Sequence, residues 1–403
     1  MGVVNLDQLN QHMVSSAVEP VEWLAAEAAL ARLGVARQTL YAYVSRDLVR
    51  ARPAGDDPRC RLYDPRSIDA LLERRRRGRA RQAVAASTID FGEPVLVSRI
   101  TRIADGGLLY RSQDAIALAR TATLEEVAVL LWQAPAFPCL PASVFIPDES
   151  RSPIARCLRR VASLTGPAIW ARGAAALHAD AAALLRRIAE AACNARAEGH
   201  LHAAMARAWW ADAAGADLIR RALVLCADHE LNASAFAVRV FASTGAALPA
   251  CLLAGLAALS GPLHGGMTER IGALLAEPGM QTDPRATVAA RLGRGELLPG
   301  FGHRLYPDGD PRAAALLAPL DPGAWWRGML GAVHDLTGLH PNIDLALVAL
   351  ERTQHLPAGS ALAIFAVGRT AGWIAHALEQ RQDGRLIRPR AIYAGSEAAA
   401  ETR

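Results

Sequence analysis

The sequence predicts a mainly all-α protein, and three features point that way. From about residue 115 onward one helical pattern follows another, several of them apolar on nearly every side, as helices buried between other helices are. Roughly residues 82–112 are rich in β-branched residues and turns, with few charges. Ahead of them lies an arginine-rich segment with its own short pattern of helix, turn, helix and extended chain.

With 403 residues, 52% of them hydrophobic and 21% charged, the chain has room for two or three domains and a large core. No uncharged apolar run approaches the roughly 18 residues of a membrane span, and MGVVNLDQLNQH lacks the charged-then-apolar order of a secretory signal. The expected location is the cytoplasm, with no membrane partner. The six cysteines are scattered, without a CxxC pair or a cluster with histidine, so reduced thiols and no metal site are expected.

Within residues 23–50, WLAAEAALARLGVARQTLYAYVSRDLVR, two short helical patterns join through LGVAR. An extended piece follows, with Pro-Ala-Gly-Asp-Asp at its centre, suited to a hairpin wing. PRSIDALLERRRRGRAR then begins as a helix behind Asp64-Pro65 and ends in an arginine run. The net charge of +5 is unevenly placed: residues 32–81 carry fourteen Arg against six Asp and Glu, about +8, leaving about −3 elsewhere. This order of elements resembles the winged helix-turn-helix of the MerR and excisionase type, with a core over about residues 20–80 of an N-terminal domain 1–88. The resemblance and the coincident basic charge imply DNA as a partner, contacted by Arg37, Thr39, Tyr41, Arg46 and Arg61.

A domain boundary is expected near residue 88, where the arginine density falls. Beyond the β-branched stretch, helices are expected over 114–133, 181–199, 217–244 and 249–260.

Chemistry concentrates in four separated segments: DHELNASAF (228–236), GPLHGGMTE (261–269), LPGFGHRLYPDGDPR (298–312) and PNIDLALVAL (341–350). Each sets a His or Asp beside Gly, Pro or Asn at the end of an apolar helix. His264 leaves its helix through Gly-Pro and is followed by paired glycines, a setting for a neutral, hydrogen-bonding imidazole near a helix start. Arg312, Arg369 and Arg388 stand isolated in apolar or proline-stiffened contexts, where a planar guanidinium grips carboxylates bidentately. Such a set suits an acidic small substrate and proton transfer at carbon.

In this order the segments resemble the citrate synthase family, whose GPLHGG, GFGHR followed by DPR, N-[VI]-D and C-terminal RPR motifs all have close matches between about residues 89 and 395. The resemblance implies a synthase domain over 89–403, with a small helical domain nested roughly at 266–355. It also implies condensation of acetyl-CoA with oxaloacetate and hydrolysis to citrate, with coenzyme A as co-substrate and no permanently bound cofactor. By that resemblance Asp344 is the base, His264 stabilises the enol or enolate, and His303 polarises and protonates the oxaloacetate carbonyl. His229, Arg312, Arg369 and Arg388 are its oxaloacetate ligands, Arg388 from the partner subunit of a homodimer. Pro299, Gly300, Phe301 and Gly302 form the turn that lets backbone approach coenzyme A. His334, His340, His355 and His376 match no position of the pattern.

The chain departs from that pattern in three places. Met267-Thr268-Glu269 replaces Ala-Asn-Glu, Leu345-Ala346-Leu347-Val348 replaces Phe-Tyr-Ser-Gly after the base, and Ser112 stands where the family has Gly after Tyr-Arg. Smaller apolar residues behind Asp344 would admit propionyl-CoA and yield 2-methylcitrate. The N-terminal module also admits a second class of function, a DNA-binding transcription regulator whose synthase-like domain senses a metabolite. Retention of all three catalytic positions favours the enzyme.

Overall fold

The computed structural model describes residues 23–46, 48–54, 57–72, 96–139, 145–166 and 173–391. The chain divides into two units, Met1–Val97 and Ser98–Arg403. Residue 88 and the arginine run of 74–81 lie outside the described residues.

In the first unit the helix Ala26–Leu33 stops at Gly34, whose φ of 62° is the left-handed conformation that glycine adopts without steric cost. After Val35 and Ala36 the helix Arg37–Ser45 begins. Strand Asp57–Tyr63 is the centre of a three-stranded antiparallel sheet, between Leu24–Ala25 and Ala51–Ala54. Residues 65–72 form a further helix. Ala29, Leu33, Leu40, Val49, Tyr63, Ile68 and Leu71 make a small core of their own.

The second unit opens with an antiparallel sheet of Thr101–Ala104, Gly107–Tyr110 and Gln113–Asp114, and continues as helices. Two of the expected long helices are each broken in two. Residues 114–133 become Ala115–Thr121 and Leu124–Trp132, because Thr123 and Glu126 form a reciprocal capping box that starts a new helix. Residues 217–244 become parts of Ala213–Leu225 and Ala233–Ser243. There Glu230 takes a φ of 53°, and Asn232 caps the second helix by accepting the Ala235 N–H at 3.1 Å. Both breaks free backbone that a continuous helix would have locked away, and the second forms one wall of the site.

Ala174–Cys193 begins earlier than expected and ends at Asn194, whose φ of 53° reverses the chain. Leu248–Leu259 matches its expected span closely. At the centre lies Ser360–Asp383, packed against Leu124–Trp132, Ala174–Cys193, Ala213–Leu225, Ala233–Ser243, Leu248–Leu259 and Ile343–Thr353. It is long and apolar enough to cross a membrane by length and composition, but 94% of its most apolar window is buried in the protein. Arg369 lies within that window, so this helix itself holds no uncharged run of that length.

Candidate active site

The turn Gly300–Gly302 is pinned to the residues that lead into the helix Ile343–Thr353. Gly302 N–H donates to His340 C=O at 2.8 Å, Asn342 N–H donates to Gly300 C=O at 2.9 Å, and Phe301 bridges Pro341. Gly300 and Gly302 have φ of 88° and 76°, so both occupy the left-handed region. The family-derived cofactor turn and the family-derived base are thus held in one piece of structure, two residues apart across a bridge.

Asn342 caps that helix by accepting the N–H groups of Asp344 and Leu345 at 3.1 and 3.3 Å. Asp344 lies in its first turn. One of its carboxylate oxygens, Oδ1, is buried without a hydrogen-bond partner. Burial pushes this carboxyl up, Arg312 and Arg369 pull it down, Asp310 opposes them, and the result is a pKa of about 6. A half-buried carboxylate poised near neutrality, with one oxygen buried and bare, is suited to take up a proton.

His264 is placed by a tight turn in which Gly261 C=O accepts the N–H groups of His264 and Gly266 at 3.0 and 3.1 Å. A Cβ on Gly265 would lie 2.6 Å from Leu259 O, and one on Gly266 would lie 2.9 Å from Gly261 O, which accounts for the paired glycines. The His264 ring meets Phe365 edge-on at 5.9 Å, and its Nε2 lies 2.9 Å from Ser234 Oγ. Trp373 Nε1–H donates to the same hydroxyl at 3.1 Å, and the hydroxyl is 2.7 Å from Asn232 Oδ1. Burial, with Arg369 nearby, lowers the His264 pKa to about 4. The ring is neutral at physiological pH, as the sequence context suggested.

His303 follows the glycine turn and accepts the Leu305 N–H on Nδ1 at 3.2 Å. That bond puts the proton of the neutral ring on Nε2. Burial and Arg312 hold its pKa at about 4 against the opposing Asp310. The ring stands edge-on to His229 at 5.1 Å and tilted against Tyr306 at 5.0 Å. His229 is buried, and its Nε2 lies 3.1 Å from Tyr306 Oη. Its pKa is held well below the ordinary histidine value by burial first, then by Arg312 and Arg369.

Arg312 and Arg369 are almost wholly buried. Arg312 pairs bidentately with Asp310 at 2.9 and 2.8 Å, which leaves Nη1 to offer a ligand. Arg369 donates Nε to Cys226 C=O at 2.8 Å, and its guanidinium lies 4.7 Å from the centre of the Phe365 ring, leaving its Nη groups. The charge of Arg369 acts on His229, His264 and Asp344, and that of Arg312 on His229, His303 and Asp344. The six residues singled out from separate segments therefore form one electrostatic cluster. Arg388 is not part of it. It stands exposed on the chain beyond Ser360–Asp383, where Ile387 N–H donates to Ser243 Oγ at 3.1 Å.

The model of the citrate synthase C-terminal domain matches residues 168–390, more than half of the chain. The chain belongs to the citrate synthase family. Its family region is 38% identical over 191 residues to citrate synthase 2 of Bacillus subtilis, covering 45% of this chain and 51% of that protein. It is 34% identical over 183 residues to the 2-methylcitrate synthase of Shewanella oneidensis, covering 43% and 49% respectively. The chain spans about half the length of the curated relatives it matches. The citrate synthase fold extends further: the crystal structure from Thermotoga maritima superimposes with a TM-score of 0.64 at 24% identity, over 78% of this chain and 98% of that one. A ternary complex of the Thermoplasma acidophilum citrate synthase with carboxymethyl coenzyme A and oxaloacetate superimposes with a TM-score of 0.61 at 24% identity, over 78% and 96%.

Sequence reading passed over several members of the cluster. Asp310 and Tyr306 lie within the quoted glycine-rich stretch, where a buried Asp beside an Arg and a lone Tyr were the available signals. Ser234 and Trp373, which flank His264, carry no local signal, because their meeting depends on how two helices pack. Of the N-terminal residues, Tyr41, Arg46 and Arg61 are exposed, Thr39 is half-buried, and Arg37 is engaged in an ion pair with Glu27.

Proposed function

We propose that the chain condenses a short acyl-CoA with oxaloacetate and hydrolyses the product to citrate or a 2-methyl homologue and free coenzyme A. The observation that carries this reading is Asp344, a half-buried carboxylate whose Oδ1 is buried and bare, set among two neutral histidines and two buried arginines. Asp344 takes a proton from the carbon next to the thioester. His264 donates a hydrogen bond to the thioester oxygen as negative charge develops there, which requires its proton on Nδ1 and a turn of the Ser234 hydroxyl from Asn232 Oδ1 to Nε2. The enolate carbon attacks the ketone carbon of oxaloacetate while His303 hydrogen-bonds the ketone oxygen through Nε2–H, and the alkoxide that forms is protonated through His303 as the proton taken up by Asp344 is returned to the ring. Water then cleaves the thioester and releases the thiol.

Neutral imidazoles suit these tasks, because neither adds a charge that would hold Asp344 permanently ionised. The Nη groups of Arg312 and Arg369, with His229, receive the oxaloacetate carboxylates. Pro299, Gly300, Phe301 and Gly302 form the backbone turn for coenzyme A. A small domain of roughly residues 266–355 closes over both substrates, keeping water out until the carbon-carbon bond has formed. In a homodimer the exposed Arg388 would serve the partner's oxaloacetate site.

Leu345, Ala346, Leu347 and Val348 are all buried behind Asp344, and Leu345 and Ala346 in place of two aromatic residues support acceptance of propionyl-CoA. The test is thiol release from acetyl-CoA and from propionyl-CoA, each with and without oxaloacetate, with Asp344→Asn as control. Release that depends on oxaloacetate and is lost in the variant supports the synthase. No release with either donor from folded protein rejects it, and a strong acetyl preference rejects the propionyl extension.

A second reading rests on the first unit, taken as a winged helix-turn-helix. Arg37, Gln38, Tyr41 and Ser45 are exposed at helical spacing along Arg37–Ser45, and Arg46, Arg50, Arg52 and Arg61 are exposed beside them. Such a face suits duplex DNA, in a regulator that senses a metabolite through the synthase domain. Fluorescence anisotropy with duplex DNA at two salt concentrations tests it. Binding that weakens with salt and with Arg46→Ala supports the reading, and no binding at low salt removes it.

A further inference from the structure

Three residues of the helix Ser360–Asp383 meet three consecutive residues of the turn before His229, two by hydrogen bonds and one at ion-pair distance. Arg369 Nε donates to Cys226 C=O at 2.8 Å and the Gly372 N–H donates to Ala227 C=O at 2.9 Å, while His376 Nε2 lies 3.2 Å from Asp228 Oδ1, at ion-pair distance but outside hydrogen-bond geometry. Positions 369, 372 and 376 share one face of the helix. That face is shaped for close approach. A Cβ on Gly372 would lie 2.3 Å from Asp228 Oδ1 and 2.4 Å from Ala227 O, and one on Gly368 would lie 2.6 Å from Leu223 O.

Asp228 and His376 are both completely buried. Burial alone would raise the Asp228 pKa, yet His376 and Arg369 keep it below the ordinary carboxylate value. Thr101 Oγ1–H donates to its Oδ2 at 2.5 Å, and its backbone N–H and C=O lie 3.3 and 3.2 Å from Tyr110 Oη. Removing a carboxylate from water costs several kcal/mol, and apolar residues of similar size would brace a core at least as well. The reaction outlined above uses neither group. The residue that Asp228 carries next in the chain is His229, whose ring must meet both Tyr306 and His303.

We infer that His376 and Asp228 are positioning residues for the oxaloacetate site: His376 fixes the Asp228 carboxylate, and through it the backbone that aims His229, while the same helix face aims Arg369. This rests on the reading of His229 and Arg369 as oxaloacetate ligands.

The test uses the full chain with His376→Leu, His376→Gln and His376→Asn, and measures oxaloacetate binding by calorimetry beside the thiol-release kinetics. His376→Leu leaves the carboxylate without its partner and weakens oxaloacetate binding about tenfold or more, with KM for oxaloacetate following and KM for acyl-CoA unchanged. His376→Gln, whose amide nitrogen reaches the place of Nε2, recovers binding to within about threefold, while the shorter His376→Asn does not. A merely structural role would lower the melting temperature and the active fraction with oxaloacetate affinity intact, and that result overturns the inference. If His376→Leu does not fold, equal affinities in the Gln and Asn variants overturn it. Oxaloacetate binding without thiol release by the unsubstituted chain rejects the synthase and still measures the inference. Absence of oxaloacetate binding rejects both.

Discussion

Asp310 Oδ2 accepts the backbone N–H of Ile343 at 3.0 Å, so the carboxylate that grips Arg312 also fixes the start of the helix bearing Asp344. Its other oxygen accepts the Nε and backbone N–H of Arg312 at 2.9 and 3.0 Å. Four donors meet one buried carboxylate, which binds Arg312 and the helix that carries Asp344 into a single unit.

Asp310→Asn should therefore damage binding and chemistry together. The amide offers one oxygen where the carboxylate offers two, and it leaves the buried Arg312 charge without its counterion. Breaking such a pair from one side costs on the order of 3–5 kcal/mol of stability. Thermal unfolding should report that loss. In the protein that remains folded, KM for oxaloacetate should rise and kcat fall, whereas a variant with kcat intact would show that Asp344 does not depend on this tie.

Asp344→Asn should lose activity and gain stability. Removing a base of this kind costs about 100-fold or more in kcat. The sign of the stability change follows from the raised pKa: the carboxyl titrates near 6 when folded and near 3.8 when unfolded. The folded state therefore holds the proton more tightly, and stability falls as pH rises from about 4 to about 6. Above that window the penalty is complete, on the order of 3 kcal/mol. The neutral amide removes it, so the variant should melt at a higher temperature than the parent at pH 8 and the difference should shrink toward pH 4.

Turnover should rise with pH through about 6, as Asp344 ionises. His264 and His303, both held near 4, are neutral across that range and should add no limb above pH 5. Their effect on stability has the opposite sign to that of Asp344. Folded pKa values depressed from 6.5 to about 4 mean that the unfolded chain binds the protons first, so stability is lost as pH falls through that interval. A pH profile of kcat/KM with an acid limb near 6.5 that vanishes in His303→Asn would instead assign the limb to a histidine.

The sequence made the motif-bearing turns legible, because Gly, Pro, Asn and His in apolar surroundings have few uses. His264, His303 and Asp344 enter one cluster with His229, Arg312 and Arg369 although up to 140 positions separate them in the chain. The helix breaks at Thr123 and Asn232 were less legible. Apolar periodicity runs through both, and only the side-chain capping bonds, reciprocal at Thr123 and one-way at Asn232, show where a new helix begins. Trp373 and His376 stand outside the four motif segments, and Ser234 lies inside one without a signal of its own, since the contacts of each arise where helices meet and no short window contains both partners. Arg388, singled out by motif, lies outside the cluster and stands exposed on the chain beyond Ser360–Asp383.

Gly300→Ala tests the link between the glycine turn and the base. At φ 88° a side chain is strained wherever it points, and here the added Cβ would lie 2.9 Å from Ile271 Cδ1 and 3.1 Å from Leu345 Cβ. The left-handed conformation costs a non-glycine residue about 1–2 kcal/mol, and the contact with Leu345 adds to it. Leu345 follows Asp344 directly, so relief of that contact displaces either the turn or the base. KM for acyl-CoA should increase if the turn gives way, because Gly300 C=O then releases Asn342 N–H and the backbone leaves its place. A fall in kcat at unchanged KM would mean that the helix yields instead. Wild-type kinetics with a melting temperature lowered by only the strain would show that the bridge between Phe301 and Pro341 does not hold the turn and the base to each other.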